Sequence, residues 1–163
     1  MKKNRKRKNI EFFMQEAIDL AKKNMESGNG GPFGAIVVKD GKIIGKGSNK
    51  VTSDNDPTAH AEITAIRNAC KNLNSFQLDG CEIYTSCEPC PMCLGAIYWA
   101  RPGKVYYAAT KDDAADAGFD DEFIYKELAT SIDQRQIPMK QLLRDKAQLV
   151  FEGWKKKEGK IEY

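Results

Sequence analysis

The chain has 163 residues, of which 41% are hydrophobic and 30% are charged. This length predicts one domain, and the hydrophobic fraction can supply one sizeable core. No apolar run approaches the roughly 18 residues that predict a transmembrane helix, and no apolar segment of a signal peptide follows the charged N-terminus. We therefore expect neither a membrane protein, nor a disordered tail, nor a secreted disulfide scaffold.

The positive charge is concentrated at the N-terminus. The chain carries 26 basic and 23 acidic residues, but six of the basic ones lie within residues 1–8, so the remainder is net negative. We interpret residues 1–9 as a flexible basic arm and residues 10–163 as a single domain. A nucleic-acid or membrane-surface arm is the alternative. Because nucleic-acid binders usually carry a basic stripe on the folded body, we expect neither nucleic acid nor membrane as a partner.

The cysteine pattern points to metal or redox chemistry. The odd number of cysteines, without a secretory signal, argues against a disulfide framework and favours a reducing compartment, the cytoplasm. Cys70 and Cys81 are expected to be core residues, and the other three cysteines lie within a stretch of seven residues. The five are Cys70, Cys81, Cys87, Cys90 and Cys93.

The N-terminal part of the chain predicts a helix followed by a β-hairpin. Apolar residues recur at helical spacing over residues 10–26, and the glycines and proline within residues 28–32 end this helix. Two strand-like runs, 33–39 and 42–46, flank Asp40-Gly41, which is a strong hairpin signal.

Helices and strands alternate along the remainder. Thr58 follows a turn and is expected to cap a helix that carries Ile63 to Leu73. Further strands are predicted at 81–86, 105–109 and 137–139, and further helices from about Pro91 to Ala100, at 119–129 and at 142–156. This order predicts an α/β fold, a three-layer α/β/α sandwich with a mixed five-stranded sheet. In such sheets, sites form where strand ends meet helix N-termini.

One group of residues carries the spacing of a catalytic zinc site. His60 is the only histidine, and Cys90 and Cys93 are three residues apart at a predicted helix start, so they share one face. One imidazole and two thiolates leave the fourth position of a tetrahedral zinc site open for water. Glu62 lies two residues after His60, where it can take a proton from that water and return it to a substrate.

Two other interpretations of the cysteines remain open. Cys87 also lies three residues before Cys90, so a closed site with four ligands and no chemistry is conceivable. A redox-active Cys-x-x-Cys pair is the other. Against the closed site, Cys87 lies at a strand end and need not face the metal, and Glu62 would have no purpose beside a saturated ion.

The motif His-x-Glu with Pro-Cys-x-x-Cys is the signature of zinc-dependent nucleobase deaminases. Beyond it, the chain resembles the bacterial guanine deaminases of the cytidine-deaminase fold family. The likeness extends from about Ile10 to the C-terminus and is weakest over residues 139–157. The segments that carry it are 30–35, 55–62, 85–102, 117–121 and 162–163.

The resemblance implies a role for each matching residue. The zinc ligands would be His60, Cys90 and Cys93, with one ion per subunit. Glu62 would be the main proton shuttle, and Asp121 a second one near the departing amino group. The purine would be contacted by the Asn49 side chain, the Phe33 ring and the Ala61 backbone. Trp99 and Tyr163 would come from, or close over, the partner's site in a domain-swapped homodimer.

The residues alone leave simpler roles open. Phe33 at a strand start is ordinarily a core residue, Asn49 a turn residue and Asp121 a first-turn helix residue favoured by the dipole. Trp99 is ordinarily a core or interface residue, and a terminal Tyr163 is ordinarily disordered.

The resemblance implies hydrolysis of guanine to xanthine and ammonia, a step in purine catabolism. A guanosine or other nucleoside, a cytosine compound, or adenosine in tRNA are alternative substrates of the same fold. A zinc-stabilised module without activity is the alternative outside enzymes.

Overall fold

The computed structural model describes the backbone of residues 2–163 and the side chains of residues 7–163. Helix α1 spans Lys2–Ser27, so it begins well before the predicted start at residue 10 and includes the backbone of most of the basic segment. The side chains of residues 1–6 lie outside the described residues, and the flexibility of the arm stays a prediction. The chain divides into two compact units, Met1–Asp121 and Glu122–Tyr163. The single domain over residues 10–163 also stays a prediction.

The first unit contains a sheet of four strands and helices on both faces. Its strands are β1 (Gly34–Lys39), β2 (Lys42–Ser48), β3 (Cys81–Cys87) and β4 (Lys104–Ala109). Its further helices are α2 (Val51–Asp54), α3 (Ala61–Leu73), α4 (Pro91–Ala100) and α5 (Lys111–Asp116). The short helices α2 and α5 were not predicted. A capping box, in which the Thr110 and Asp113 side chains bond each other's backbone N–H groups, begins α5.

The sheet is mixed, with strand order β2-β1-β3-β4. β1 pairs antiparallel with β2, as the hairpin signal predicts, and antiparallel with β3, while β3 and β4 are parallel. The predicted fifth strand is wrong: residues 137–139 form no strand in the described part of the chain. Pro138 stands at the centre of that segment and has no N–H group to donate to a ladder.

Alternate residues of β1 point into two separate cores, which makes the three layers. α1 covers one face of the sheet, and α3 with α4 covers the other, so β1 is buried on both sides and consists of a continuous apolar run. The first core comprises Phe13, Ala17, Ile36, Val38 and Tyr84. The second comprises Ala35, Val37, Ala61, Ala65, Ala69, Leu78, Cys81, Ile83, Ile97 and Ala100. The predicted three-layer α/β/α arrangement is confirmed.

Helix α3 packs very close to β2, and a glycine permits it. A Cβ atom at Gly47 would clash with the backbone carbonyl oxygen of Ala61, the first residue of α3. The contact therefore sets the start of α3 directly against the sheet, where the residues next to it carry the site.

The second unit contains α6 (Glu122–Ala129), a short 3₁₀ helix (Ile132–Gln134) and α7 (Arg144–Lys156). α6 begins three residues after the predicted start at 119, because Gly118 adopts a positive φ of 90° and the chain stays irregular to Asp121. α7 begins two residues after its predicted start at 142. Among the residues that the structure describes, no helix combines the length and apolar character needed to cross a bilayer.

Candidate metal and catalytic site

Three predicted ligands converge at the N-termini of two helices. His60 is the N-cap residue of α3 and Cys90 that of α4, with Cys93 in the first turn of α4. His60 Nδ1 lies 3.5 Å from Cys90 Sγ and 3.5 Å from Cys93 Sγ. All three ligand atoms lie within 4.8 Å of one another. The sequence-predicted triad therefore forms one cluster.

A turn closed by the Asp56 side chain precedes His60. Asp56 Oδ1 accepts hydrogen bonds from the backbone N–H of Thr58 at 2.8 Å and from its hydroxyl at 2.7 Å. The predicted cap at Thr58 is therefore wrong: its hydroxyl donates to Asp56, and the helix starts three residues later. The His60 side chain makes no capping bond of its own and faces the cysteines instead.

The two cysteines are hydrogen bonded to each other, and this contact shifts their pKa values in opposite directions. Hydrogen bonds from Cys93 and from His60 lower the pKa of Cys90 to about 4, although burial opposes the change. The pKa of Cys93 is raised, first by its hydrogen bond to Cys90 and then by burial. The hydrogen bond to Cys90 also raises the pKa of His60. A divalent cation bound here would displace the protons of these groups and would neutralise the negative charge of the two sulfur atoms.

This donor set fits zinc. One imidazole nitrogen and two sulfurs are preferred zinc ligands, and three protein ligands leave a position open, as in catalytic sites. Cys87 does not belong to the cluster found among the described residues. Its Sγ lies 3.5 Å from the carbonyl oxygen of Thr110, to which it donates, and burial raises its pKa to about 11. The structure thus favours an open site over a closed one.

The carboxylate of Glu62 lies beside the ligands without joining them. Only 6% of Glu62 is exposed. Its Oε1 accepts a hydrogen bond from the Thr85 hydroxyl at 3.1 Å, and its Oε2 lies 3.4 Å from Cys93 Sγ. Burial raises the pKa of Glu62 despite these hydrogen bonds. A carboxyl group with a raised pKa next to a metal-ligand set is placed to exchange protons there.

Asp121 lies within electrostatic reach of the same cluster. Burial and then the negative charge of Cys90 raise the pKa of its carboxyl group. Asp121 precedes α6 in an irregular segment, and so it is not the first-turn helix residue that its sequence context suggested.

Asn49 and Phe33 lie on two segments that are hydrogen bonded to each other. The Asn49 N–H donates to the carbonyl of Phe33 at 3.1 Å. Asn49 Oδ1 accepts from the N–H groups of Gly31 at 3.3 Å and Val51 at 3.2 Å. These two bonds orient the amide, so its Nδ2 is left as the donor. The half-buried Phe33 ring packs edge-on against Phe119, with centroids 4.9 Å apart.

The remaining predicted residues differ in position. Ala61 is fully buried in the first turn of α3, next to His60. Trp99 is on α4 but 64% exposed, whereas the buried face of α4 carries Cys93, Ile97 and Ala100. Tyr163 belongs to the second unit and is 70% exposed. The structure therefore does not bring Trp99 to the buried ligand face, and the role of Tyr163 stays a prediction.

Sequence reasoning missed two polar residues that support the site. Thr85 is 2% exposed and bonds Glu62; its inward position in β3, two residues before Cys87, could have indicated it. Asn24 is 6% exposed on α1. It lies at helical spacing from Ala17 and Ala21, so its place in a buried stripe was visible in the sequence.

A three-layer α/β fold with a His-Cys-Cys metal site and a buried glutamate defines a zinc-dependent hydrolytic deaminase. Residues 7–109 match the model of the cytidine and deoxycytidylate deaminase zinc-binding region. The chain belongs to this family, which confirms the resemblance drawn from the motifs.

Individual relatives share more than the family region. The guanine deaminase of Bacillus subtilis (strain 168) is 57% identical over 155 residues, 95% of this chain and 99% of that protein. An X-ray structure of that guanine deaminase matches with a TM-score of 0.92, covering 94% of this chain and 98% of the other.

Two further matches are shorter. A tRNA-specific adenosine deaminase of Aquifex aeolicus (strain VF5) is 48% identical, but the match covers 61% of this chain and 65% of that protein. A solved mutant structure in complex with 8-azaguanine is 39% identical, with a TM-score of 0.64, covering 67% of this chain and 63% of the other.

We predict that Cys87→Ala retains as much zinc as the wild-type protein, whereas Cys93→Ala loses most of it. The Cys87 thiol bonds a backbone carbonyl and is protonated near neutral pH, and only Cys93 belongs to the cluster. Metal analysis after dialysis against a weak chelator measures the difference. Equal zinc loss in both variants would contradict the open site and support the closed one.

Proposed function

We propose that this chain hydrolyses guanine to xanthine and ammonia, with one zinc ion bound per chain by His60, Cys90 and Cys93. The observation that carries the choice of substrate is the extent of the likeness. The guanine deaminase relative matches 95% of the chain, whereas the tRNA deaminase relative matches 61%. The negative charge of the chain outside residues 1–8 also disfavours a tRNA substrate.

The orientation of the Asn49 amide supports guanine as the substrate. Its Oδ1 is held by two backbone N–H groups, so the side chain offers a donor to a ligand. On the edge of the purine that carries N7 and the 6-substituent, guanine presents two acceptors, N7 and O6. Adenine presents the N6 amino donor beside N7 on the same edge. Phe33 would stack on the purine ring, and Phe119 supports the Phe33 ring from its side.

The proton transfers are assigned to two carboxyl groups with raised pKa values. When bound, zinc would supply Lewis acidity that makes water a nucleophile near neutral pH. Glu62 then accepts a proton from the attacking water and passes it to a ring nitrogen. Asp121 donates a proton to the departing amino group, which leaves as ammonia, and the second proton of the water restores the acid form of Asp121. The balance is one guanine and one water to one xanthine and one ammonia.

The free thiols favour a reducing compartment. All five cysteines are unpaired, and two of them must stay reduced to bind zinc. We therefore propose that the reaction takes place in the cytoplasm. Hydrolysis of guanine to xanthine would make it a step of purine catabolism.

The first experiment measures ammonia release from the zinc-loaded protein with guanine, guanosine, adenine, adenosine, cytosine and cytidine. We expect release from guanine, and a fall in kcat of about 10²–10⁴-fold in Glu62→Gln, because the general base is lost while the side-chain shape is kept. The zinc content of that variant is the control. Release from a nucleoside alone would overturn the substrate, and full activity of Glu62→Gln would overturn the mechanism.

A second prediction concerns the pH dependence of kcat/KM. The Thr85 hydroxyl stabilises the charged form of Glu62, so Thr85→Val is expected to raise the Glu62 pKa further. Since the base must be ionised, the acidic limb of kcat/KM moves to higher pH, and the rate at the acidic end falls about tenfold. Thr85→Ser retains the hydroxyl and should keep the wild-type limb. Unchanged limbs in both variants would refute this role of Thr85.

We also propose that the protein is a homodimer in which the C-terminal segment exchanges between subunits. Each unit exposes large apolar side chains, as interaction surfaces do. In the first unit, Tyr98 is 76% exposed beside Trp99 on α4, and in the second unit, the α7 residues Leu149, Val150 and Phe151 are about 70% exposed. A second copy of the chain would cover these surfaces.

Subunit complementation tests the exchange. A chain lacking residues 162–163 and a Glu62→Gln chain are each expected to be nearly inactive. If the tail completes the partner's site, mixed dimers formed by co-refolding regain about a quarter of the wild-type activity, because half the dimers are mixed and each has one complete site. No regain, with dimers confirmed by light scattering, would contradict the exchange. Full activity of the shortened chain would contradict the role of Tyr163.

A further inference from the structure

One buried side-chain amide, that of Asn24, bonds both segments that are proposed to contact the substrate, Gly30–Phe33 and Asn49. Asn24, near the end of α1, donates through Nδ2 to the carbonyl oxygen of Gly31 at 2.9 Å and to that of Asn49 at 2.8 Å. Asn24 is 6% exposed, so water cannot readily replace the amide as the donor to both carbonyl groups.

The two segments approach each other too closely to tolerate much displacement. A Cβ atom at Gly30 would clash with the Asn49 carbonyl oxygen. On the same side, Gly31 N–H donates to Asn49 Oδ1 at 3.3 Å. The carbonyl groups of Gly31 and Asn49 therefore both face the Asn24 amide, and the two residues are also bonded to each other. Without a shared donor, the two carbonyl dipoles would repel each other.

The contact connects to both substrate-binding side chains and to a metal ligand. The Gly31 carbonyl also accepts the Phe33 N–H at 2.8 Å, and the Lys50 N–H donates to the Ala59 carbonyl at 2.8 Å, one residue before His60. The position of the peptide groups around Asn49 is thus fixed from α1 on one side and from the start of α3 on the other.

We infer that Asn24 is a positioning residue for substrate binding: its amide holds the Gly30–Phe33 segment and Asn49 at the separation that a purine ring requires. The inference rests on the proposed function for the nature of the ligand. The Asn24 side chain donates to the carbonyl groups of Gly31 and Asn49 and not to a metal ligand. It therefore acts through Asn49 and Phe33 and affects binding more than the chemical step.

The test compares three variants of the zinc-loaded protein with guanine as substrate. Asn24→Leu keeps the approximate shape of the side chain and introduces a good helix former, but it removes the two N–H donors of the amide. We expect its KM to rise about tenfold or more while kcat stays within about threefold, as for loss of uniform binding. Asn24→Gln, which keeps the amide, should restore most of the affinity. Asn9→Leu, at an exposed asparagine of the same helix, is the matched control and should match the wild type.

A measurement without substrate separates this inference from the proposed function. In Asn24→Leu, hydrogen–deuterium exchange should speed up in the segments containing Gly31 and Val51, whose amides bond Asn49 Oδ1, and stay unchanged in α4. If the wild-type protein does not act on guanine but exchange rises in this pattern, the proposed function fails and the positioning role stands. An unchanged KM and unchanged exchange in folded Asn24→Leu would overturn the role, as would equal KM increases in the Leu and Gln variants.

Discussion

His60 and Cys90 are the N-cap residues of α3 and α4, so the N–H groups of two first turns converge where the ligand atoms lie. Unpaired N–H groups and the positive ends of helix dipoles favour anionic sulfur. The thiolate of Cys90 is therefore favoured at this point before any metal binds, whereas the raised pKa of Cys93 keeps its thiol protonated. The low pKa of Cys90, about 4, comes first from the hydrogen bond of the Cys93 thiol and then from that of His60, and the backbone N–H of Cys93 in the first turn of α4 adds to them. The close packing of α3 on Gly47 and of α4 in the same core keeps the two ends together.

Glu62 illustrates how two effects of this arrangement compete. A carboxylate in the first turn of α3 is stabilised by the helix dipole, and the Thr85 hydroxyl adds a hydrogen bond. Burial has the larger effect, and the pKa is raised. The group therefore holds a proton more readily than a surface glutamate does. That balance is what a residue needs if it first accepts and then donates a proton.

The metal triad was predictable from the signature His-x-Glu with Pro-Cys-x-x-Cys, although the approach of His60 to the cysteines depends on the packing of α3 and α4. The pairing of Cys90 with Cys93 follows from local spacing alone, since both lie at the start of one helix. The β1–β2 hairpin was predictable for the same reason. The cap at Thr58 was mispredicted because its hydroxyl donates to Asp56, and the fifth strand was mispredicted because Pro138 has no N–H group to donate to a ladder. The alternation along β3 could indicate that Thr85 faces inward, but its contact with Glu62 depends on how α3 packs on the sheet, which the sequence pattern did not specify.

Asn24 shows how the core and the site share one element. The same face of α1 that buries Phe13 and Ala17 against the sheet carries an amide that bonds two peptide groups of the substrate segments. An apolar residue at this position would suit the core equally well, but it would leave the buried Asn49 carbonyl without this donor, a cost of about 1–3 kcal/mol. The Gly31 carbonyl would keep only its bond from the Phe33 N–H. A polar residue is therefore explained here by the segments it holds, and the packing of α1 on the sheet sets the geometry on which the proposed purine binding depends.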